Sequence, residues 1–157
     1  MSSRFVIPLV LCLTAILNAQ DVSPGFQHFY NLEYPQALAW FQGESARNPA
    51  DPEPYNHIAQ TVLYSEMFRN GALESELVSG SNPFLRRAGL TPSPADQKMF
   101  FDSISQAMAL SEARLRRDAN DKAALYAMGA AYGLKASWEF LIQRSFSSAL
   151  SDTTKGR

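Results

Sequence analysis

The sequence predicts an all-α fold built of antiparallel helix hairpins, and three observations support this prediction. Apolar residues recur at spacings of three and four, the spacing of one helix face, through most of the chain. Proline and helix-capping residues mark where these runs begin and end. The sequence has no useful stretch of alternating apolar and polar residues, the pattern of a half-buried strand. With 157 residues, 46% of them hydrophobic, the chain is long enough for one domain with its own core.

The N-terminal segment 1–19 is predicted to be a signal peptide. Arg4 precedes the apolar run 5–17, which is shorter than the about 20 residues that a membrane-spanning helix needs. Ala19 supplies the small residue at the end of such a segment. The protein is therefore expected to be exported, periplasmic or secreted, with no stable membrane span after processing. Cys12, the only cysteine, lies in this segment, so the mature chain would have neither disulfides nor thiol chemistry.

The helical domain is predicted to cover residues 20–150, and its first two helices form a hairpin. Ser23 followed by Pro24 is an N-cap with proline at the first helical position. The second helix is expected over residues 35–47, because proline suits its first turn and Pro49 cannot continue it. A turn between the two helices then completes the hairpin.

Small residues in this hairpin have a steric role. Gly25 on the first helix and Ala37 on the second lack bulk, so the two backbones can approach closely. Phe41 is predicted to fill the gap beside them.

The remaining helices are also marked by their ends. One helix is predicted from Tyr55 to Phe68, and another from the Ser93 cap to about Asp118. An irregular insertion is predicted over 69–97, overlapping the start of the second of these helices, because glycine and proline interrupt this stretch repeatedly. The last long helix is predicted to start at Asn120 or Asp121.

The hairpin pattern recurs along the chain. Ala59 follows Gly25 by 34 residues, the length of a helix-hairpin repeat. A second alignment has an offset of 70 residues and places Ala37 on Ala107. The same offset superimposes one helix start on another: Tyr55, Ile58, Ala59 and Val62 on Leu125, Met128, Gly129 and Tyr132.

On these residues the chain resembles the tetratricopeptide repeat family, over roughly residues 24–68 and 100–135. Ser111 departs from the pattern, because it replaces the aromatic residue that Phe41 supplies in the first unit. The resemblance implies a short right-handed α-solenoid whose first helices line a concave, non-catalytic surface for a protein or peptide partner. The residues that it places on this surface are Asn56, Gln60, Tyr64 and Tyr126.

Other function classes receive little support. The net charge of −1 gives no basic face for nucleic acid, and phosphate-loop, G-x-S-x-G and H-E-x-x-H motifs are absent from the sequence. No cofactor is predicted. The alternatives are a small exported helical enzyme or metal-binding protein, or a structural fragment without its own partner. A zinc or iron site would have to use His28 and His57, with Glu66 or Asp96 as carboxylates.

The C-terminal tail 151–157 is expected to contain a turn over 152–156 rather than a further helix. An apolar stripe on the preceding helix would then lack a cover. The prediction is that the chain either continues into a longer repeat protein or self-associates. The residues named for that contact are Trp138, Leu141 and Phe146.

Overall fold

The computed structural model describes residues 23–73, 90–143, 145 and 152–156, so the signal segment and Phe146 lie outside the described residues. These parts of the chain form five helices and no strand, which confirms the all-α prediction. A short helical turn over 152–155 follows the fifth helix. The helices are α1 Pro24–Tyr30, α2 Tyr34–Arg47, α3 Glu53–Arg69, α4 Pro94–Leu115 and α5 Lys122–Leu141.

The helix ends follow from local chemistry. A proline occupies the first turn of each of the first four helices, where its missing N–H costs no helical hydrogen bond. Ser93 caps α4 by accepting a hydrogen bond from the backbone N–H of Asp96 at 3.0 Å. Asp121 caps α5 in the same way, accepting from the N–H of Ala124 at 3.0 Å.

The first hairpin packs closely at Gly25 and Ala37, as predicted from these small residues. A Cβ on Gly25 would lie 2.6 Å from Cε1 of Phe41 and 2.5 Å from Cδ1 of Trp40, so only glycine fits there without a shift. Phe41 and Ala37 are both fully buried. Phe41 is therefore the plug between α1 and α2.

The helices follow one another in space as they do along the chain. Each helix packs against the next, and α3 also packs against α5. Asn56 on α3 strengthens that second contact, since its side-chain N–H donates to the carbonyl oxygen of Ala127 on α5 at 2.9 Å. The ring of Phe29 on α1 meets that of Tyr64 on α3 at 5.2 Å, so the first and third helices are in contact as well.

The expectation that Trp138 belongs to an uncovered stripe is wrong. Its side chain is fully buried and stacks on Phe100 of α4, with ring centroids 4.2 Å apart. Ile142 is also fully buried, and Leu141 is half-buried. The cover comes from α4, which packs along α5, so Trp138 is not available for self-association.

Charged residues join the end of α3 to the start of α4. Glu66 is 2% exposed, and the Arg69 guanidinium donates to its carboxylate at 2.5 Å and to that of Asp96 at 2.6 Å. The N–H of Ser93 lies 3.4 Å from the same Glu66 carboxylate. Burial raises the pKa of Glu66. Burial alone would raise the pKa of Asp96, but the hydrogen bonds from Arg69 and Ser93 together leave it below its ordinary value.

Candidate partner-binding surface

A chain of aromatic rings crosses from α1 to α3. Phe29 lies at its centre, with ring centroids 5.5 Å from Tyr30, 5.7 Å from Tyr34 and 5.2 Å from Tyr64. Tyr34 extends the chain to Phe68 at 5.8 Å. All four contacts are edge-to-face, the arrangement that aromatic pairs favour.

The inner and outer members of this cluster differ in exposure. Phe29 and Tyr34 are buried, whereas Tyr30 is 70% exposed, Phe68 41% and Tyr64 36%. We call these three exposed rings the aromatic face. Because each exposed ring rests on a buried one, the aromatic face is held in place before any partner arrives. Burial and the neighbouring Tyr64 raise the pKa of Tyr34.

The turn between α1 and α2 has an unusual backbone beside Tyr30. Leu32 has a φ of 63°, a left-handed conformation that is uncommon for residues other than glycine. Its side chain is 47% exposed, so the conformation gains little burial for this apolar group. Two backbone hydrogen bonds hold the turn, from Leu32 N to Phe29 O at 3.1 Å and from Glu33 N to His28 O at 2.9 Å.

The four residues predicted for a concave surface do not form one site. Asn56 is 5% exposed and donates to Ala127, so it connects α3 to α5 and does not face a partner. Gln60 is half-buried. Tyr64 belongs to the aromatic face. Tyr126 is 70% exposed on α5.

Neither Tyr30 nor Phe68 was among the residues predicted for a binding surface. One signal was available, because Tyr64 and Phe68 are four residues apart on α3 and therefore share one helix face. Their neighbour Tyr30 depends on how α1 lies across α3. That contact is a tertiary property without a local sequence signal.

A recess surrounds His57, between the end of α2 and the start of α3. It has a volume of about 350 Å³ and is lined by Glu44, Arg47, Asn48, Asp51, Glu53, Pro54 and His57. The imidazole of His57 packs against Phe26 at 4.7 Å and Phe41 at 4.9 Å. Burial lowers the pKa of His57, although Glu44 and Asp51 act in the opposite direction.

The residues considered for a metal site have other partners. His28 Nδ1 lies 2.5 Å from Glu33 Oε2, and His57 lies in the ring cluster beside Phe26. Glu66 and Asp96 share Arg69. In the part of the chain that the structure describes, three or more His, Cys, Asp or Glu side chains nowhere converge as a metal site would require.

Comparisons with protein-family models, with curated proteins and with solved structures gave no significant match. Among the described helices, none has the length and apolar character needed to cross a membrane.

Proposed function

We propose that this chain is an exported, non-catalytic protein-binding module of the tetratricopeptide type, and that the aromatic face receives its partner. The observation that carries the proposal is the aromatic face itself. Tyr30, Tyr64 and Phe68 are all exposed and lie on the buried rings of Phe29 and Tyr34. Exposed apolar clusters of this kind mark interaction sites in soluble proteins.

The chemistry of the three rings suits a protein partner. Tyrosine and phenylalanine are enriched at protein interfaces, and tyrosine is among the residues that most often dominate binding energy. An aromatic side chain has two rotatable bonds, so it loses little conformational entropy on binding. Here Phe29 and Tyr34 already restrict the exposed rings, which lowers that entropic cost further.

The order of the helices supports the tetratricopeptide part of the proposal. In a solenoid of helix hairpins, the first helix of each unit packs against its own second helix and against the first helix of the next unit. The pairs α1–α2 and α3–α4 have the first relationship, and α3–α5 has the second. The right-handed solenoid and the two hairpin units remain part of this proposal.

Export rests on the N-terminal sequence alone, with Arg4, a short apolar run and Ala19 in the order of a signal peptide. Mass spectrometry of the protein recovered from the cell envelope or medium tests it. We expect a mature N-terminus close to Gln20. A folded protein that retains Met1 or Ser2 would refute export.

The binding proposal is tested by affinity capture with two matched double variants. In the first, Tyr30→Ser and Phe68→Ser remove two rings of the aromatic face. In the second, Leu125→Ser and Tyr126→Ser remove two exposed apolar side chains of α5. The wild-type chain and both variants are immobilised and exposed to the same envelope extract, after circular dichroism has shown equal helix content.

We expect the extract to contain a protein that binds to the wild type and to the α5 variant but not to the aromatic-face variant. Binding is then measured with the purified partner, and loss of the two rings should weaken it by at least tenfold, or ~1.4 kcal/mol. Equal retention by all three chains would refute the aromatic face as the binding surface. Loss by the α5 variant alone would move the site to Tyr126.

A further inference from the structure

Two carboxylates share one guanidinium where α3 ends and α4 begins. The terminal nitrogen Nη2 of Arg69 lies 2.5 Å from Oε1 of Glu66 and 2.6 Å from Oδ2 of Asp96. With both carboxyl groups ionised, the three side chains carry a net charge of −1. The Glu66 side chain is 3% exposed, whereas that of Asp96 is 24% and that of Arg69 51% exposed. The excess negative charge is therefore hardest to accommodate at Glu66.

The hydrogen bonds of the two carboxylates are unequal. Asp96 accepts a second hydrogen bond from the hydroxyl of Ser93 at 2.7 Å. For Glu66, the contacts beyond Arg69 are long in the described structure, since the backbone N–H of Ser93 and the side-chain amide of Asn70 both lie 3.4 Å away. A buried carboxylate needs good hydrogen bonds to compensate for lost water. Glu66 is thus the less well compensated of the two.

The ends of the two helices act in the same direction. Glu66 lies in the last turn of α3, where the partial negative charge of the helix end disfavours a carboxylate. Asp96 lies in the first turn of α4, where the partial positive charge favours one. Burial raises the pKa of Glu66 and the neighbouring Asp96 raises it further, although Arg69 acts in the opposite direction. Geometry and charge therefore place a proton on Glu66 before Asp96.

The second helix faces the same cluster. Tyr34 of α2 lines a recess of about 180 Å³ together with Arg69 and Asp96. The ring of Tyr34 also lies 5.8 Å from that of Phe68, and Phe68 lies between Glu66 and Arg69 in the last turn of α3. The charged cluster and the aromatic face therefore share one helical turn.

We propose that Glu66, Arg69 and Asp96 form a proton-operated latch between α3 and α4. In mild acid one proton adds to the carboxylate of Glu66, and the net charge of the cluster changes from −1 to zero. Arg69 is then left to Asp96 as a matched ion pair, and the latch holds the last turn of α3, with Phe68, more firmly. The consequence for the aromatic face rests on the proposed function, whereas the latch itself does not.

The latch should make the protein more stable in mild acid. A carboxyl group whose pKa is raised by folding binds more protons in the folded than in the unfolded chain, at pH values between about 4.3 and the folded value. The contribution of Glu66 to the free energy of unfolding therefore increases as the pH falls through this window. Below it, protonation of Asp96 breaks the ion pair with Arg69 and the gain is lost.

Urea unfolding of the wild type, Glu66→Gln and Glu112→Gln tests the proposal. Glutamine has the shape of a protonated glutamate and takes up no proton, so Glu66→Gln should have the higher urea midpoint at about pH 7, and its lead should shrink as the pH falls to about 5. Glu112 is an exposed carboxylate of α4, and Glu112→Gln should leave the pH dependence of the wild type in place. Other titrating groups are common to the three chains and cancel in the differences. A lead of Glu66→Gln that is absent, constant or larger in acid would overturn the latch.

A second measurement tests the shared guanidinium directly. The side-chain carboxyl carbon of Glu66 is followed by NMR as the pH is varied, in the wild type, Asp96→Asn and Asp102→Asn. We expect Glu66 to titrate above about 4.3 in the wild type, and at lower pH in Asp96→Asn, because the competing carboxylate is gone. The exposed Asp102 of the same helix provides the control, and its replacement should leave the titration of Glu66 unchanged. The same midpoint in Asp96→Asn and the wild type would overturn the proposal.

The hold on Phe68 is read from hydrogen exchange of its backbone amide, corrected for the intrinsic exchange rate. Between about pH 7 and pH 5 its protection should rise more in the wild type than in Glu66→Gln. An equal change in the two chains would show that the proton does not act on the aromatic face. These three measurements use no partner, so a failure of the aromatic face to bind a protein and a failure of the latch are distinguishable.

Discussion

The first hairpin and the last helix each contain a glycine at a close contact, but the two contacts differ. In α1, Gly25 meets the side chains of Trp40 and Phe41 from a complete second helix. In α5, Gly129 meets only the backbone of Gly156, from a turn of a few residues. Close approach is therefore common to both regions, while the element that makes the approach is not.

The contact between α1 and α2 and the contact between the C-terminal turn and α5 also differ in what stabilises them. The α1–α2 contact is apolar, with Phe41 fully buried between Phe26 and His57. The turn on α5 depends on the ion pair of Lys135 and Asp152. A glycine thus permits a close contact but does not determine its strength. Cavity-forming substitutions should damage the first region most, and changes in pH should damage the second.

The largest expected effect is that of Phe41→Ala. Removing a fully buried ring leaves a cavity beside Gly25, so the free energy of unfolding should fall by ~3–5 kcal/mol. The exposed Gln36 on the same helix provides the control, and Gln36→Ala should change it by less than about 0.5 kcal/mol. Urea unfolding measures both. Equal midpoints would show that Phe41 is not the plug of the first hairpin.

Two glycine substitutions should change stability less than Phe41→Ala does, and in opposite directions. Gly25→Ala should destabilise by ~1–3 kcal/mol, because its Cβ would overlap the rings of Trp40 and Phe41. Gly133→Ala should instead stabilise by up to ~1 kcal/mol, since alanine is the better helix former and space is open there. Thermal unfolding gives both signs. A stabilising Gly25→Ala would contradict the close packing of α1 on α2.

The ion pair on α5 should make the C-terminal turn sensitive to acid. Burial tends to raise the pKa of Asp152, but hydrogen bonds from Lys135 and Lys155 leave it below its ordinary value. A carboxylate with a lowered pKa stabilises the fold above its unfolded pKa of about 3.9, and this contribution is lost as the pH falls through the folded value.

Asp152→Asn tests that dependence. Because Lys135 and Lys155 are partly exposed, we expect a loss below about 1 kcal/mol at pH 7. Limited proteolysis at residues 152–156 should accelerate below pH 4 in the wild type and be fast at every pH in the variant. An acid-independent cleavage rate in the wild type would contradict the role of the ion pair.

The smallest effect is expected at His57 in the first region. Its pKa is lowered by burial, so the unfolded chain binds more protons than the folded chain between the folded value and about 6.5. Stability should therefore decrease as the pH falls below about 6.5. His57→Gln should remove this part of the pH dependence, as measured by urea midpoints at several pH values. Parallel curves for the two chains would contradict it.

The sequence predicted the local parts of this fold well. Proline and capping residues such as Pro24, Ser93 and Asp121 mark the observed helix starts, because a cap acts within one turn of its own position. The Gly25–Phe41 contact was also accessible, since the two helices are joined by a short turn.

Contacts between distant segments were harder to predict. Asn56 was assigned to a partner surface on the tetratricopeptide resemblance alone, but its side chain meets Ala127 of α5. Trp138 was taken to be uncovered, because the path of α4 across α5 cannot be read from either helix alone. The aromatic face was not predicted for the same reason, because Tyr30 is linked to Tyr64 only through the ring of Phe29.

The cluster of Glu66, Arg69 and Asp96 has a consequence for how this protein can vary. Arg69 ends α3 and Asp96 lies in the first turn of α4, so the two ends of the connection 70–93 are held together independently of what lies between them. An insertion at the exposed Gly71, just after α3, should therefore leave the contact between α3 and α4 in place.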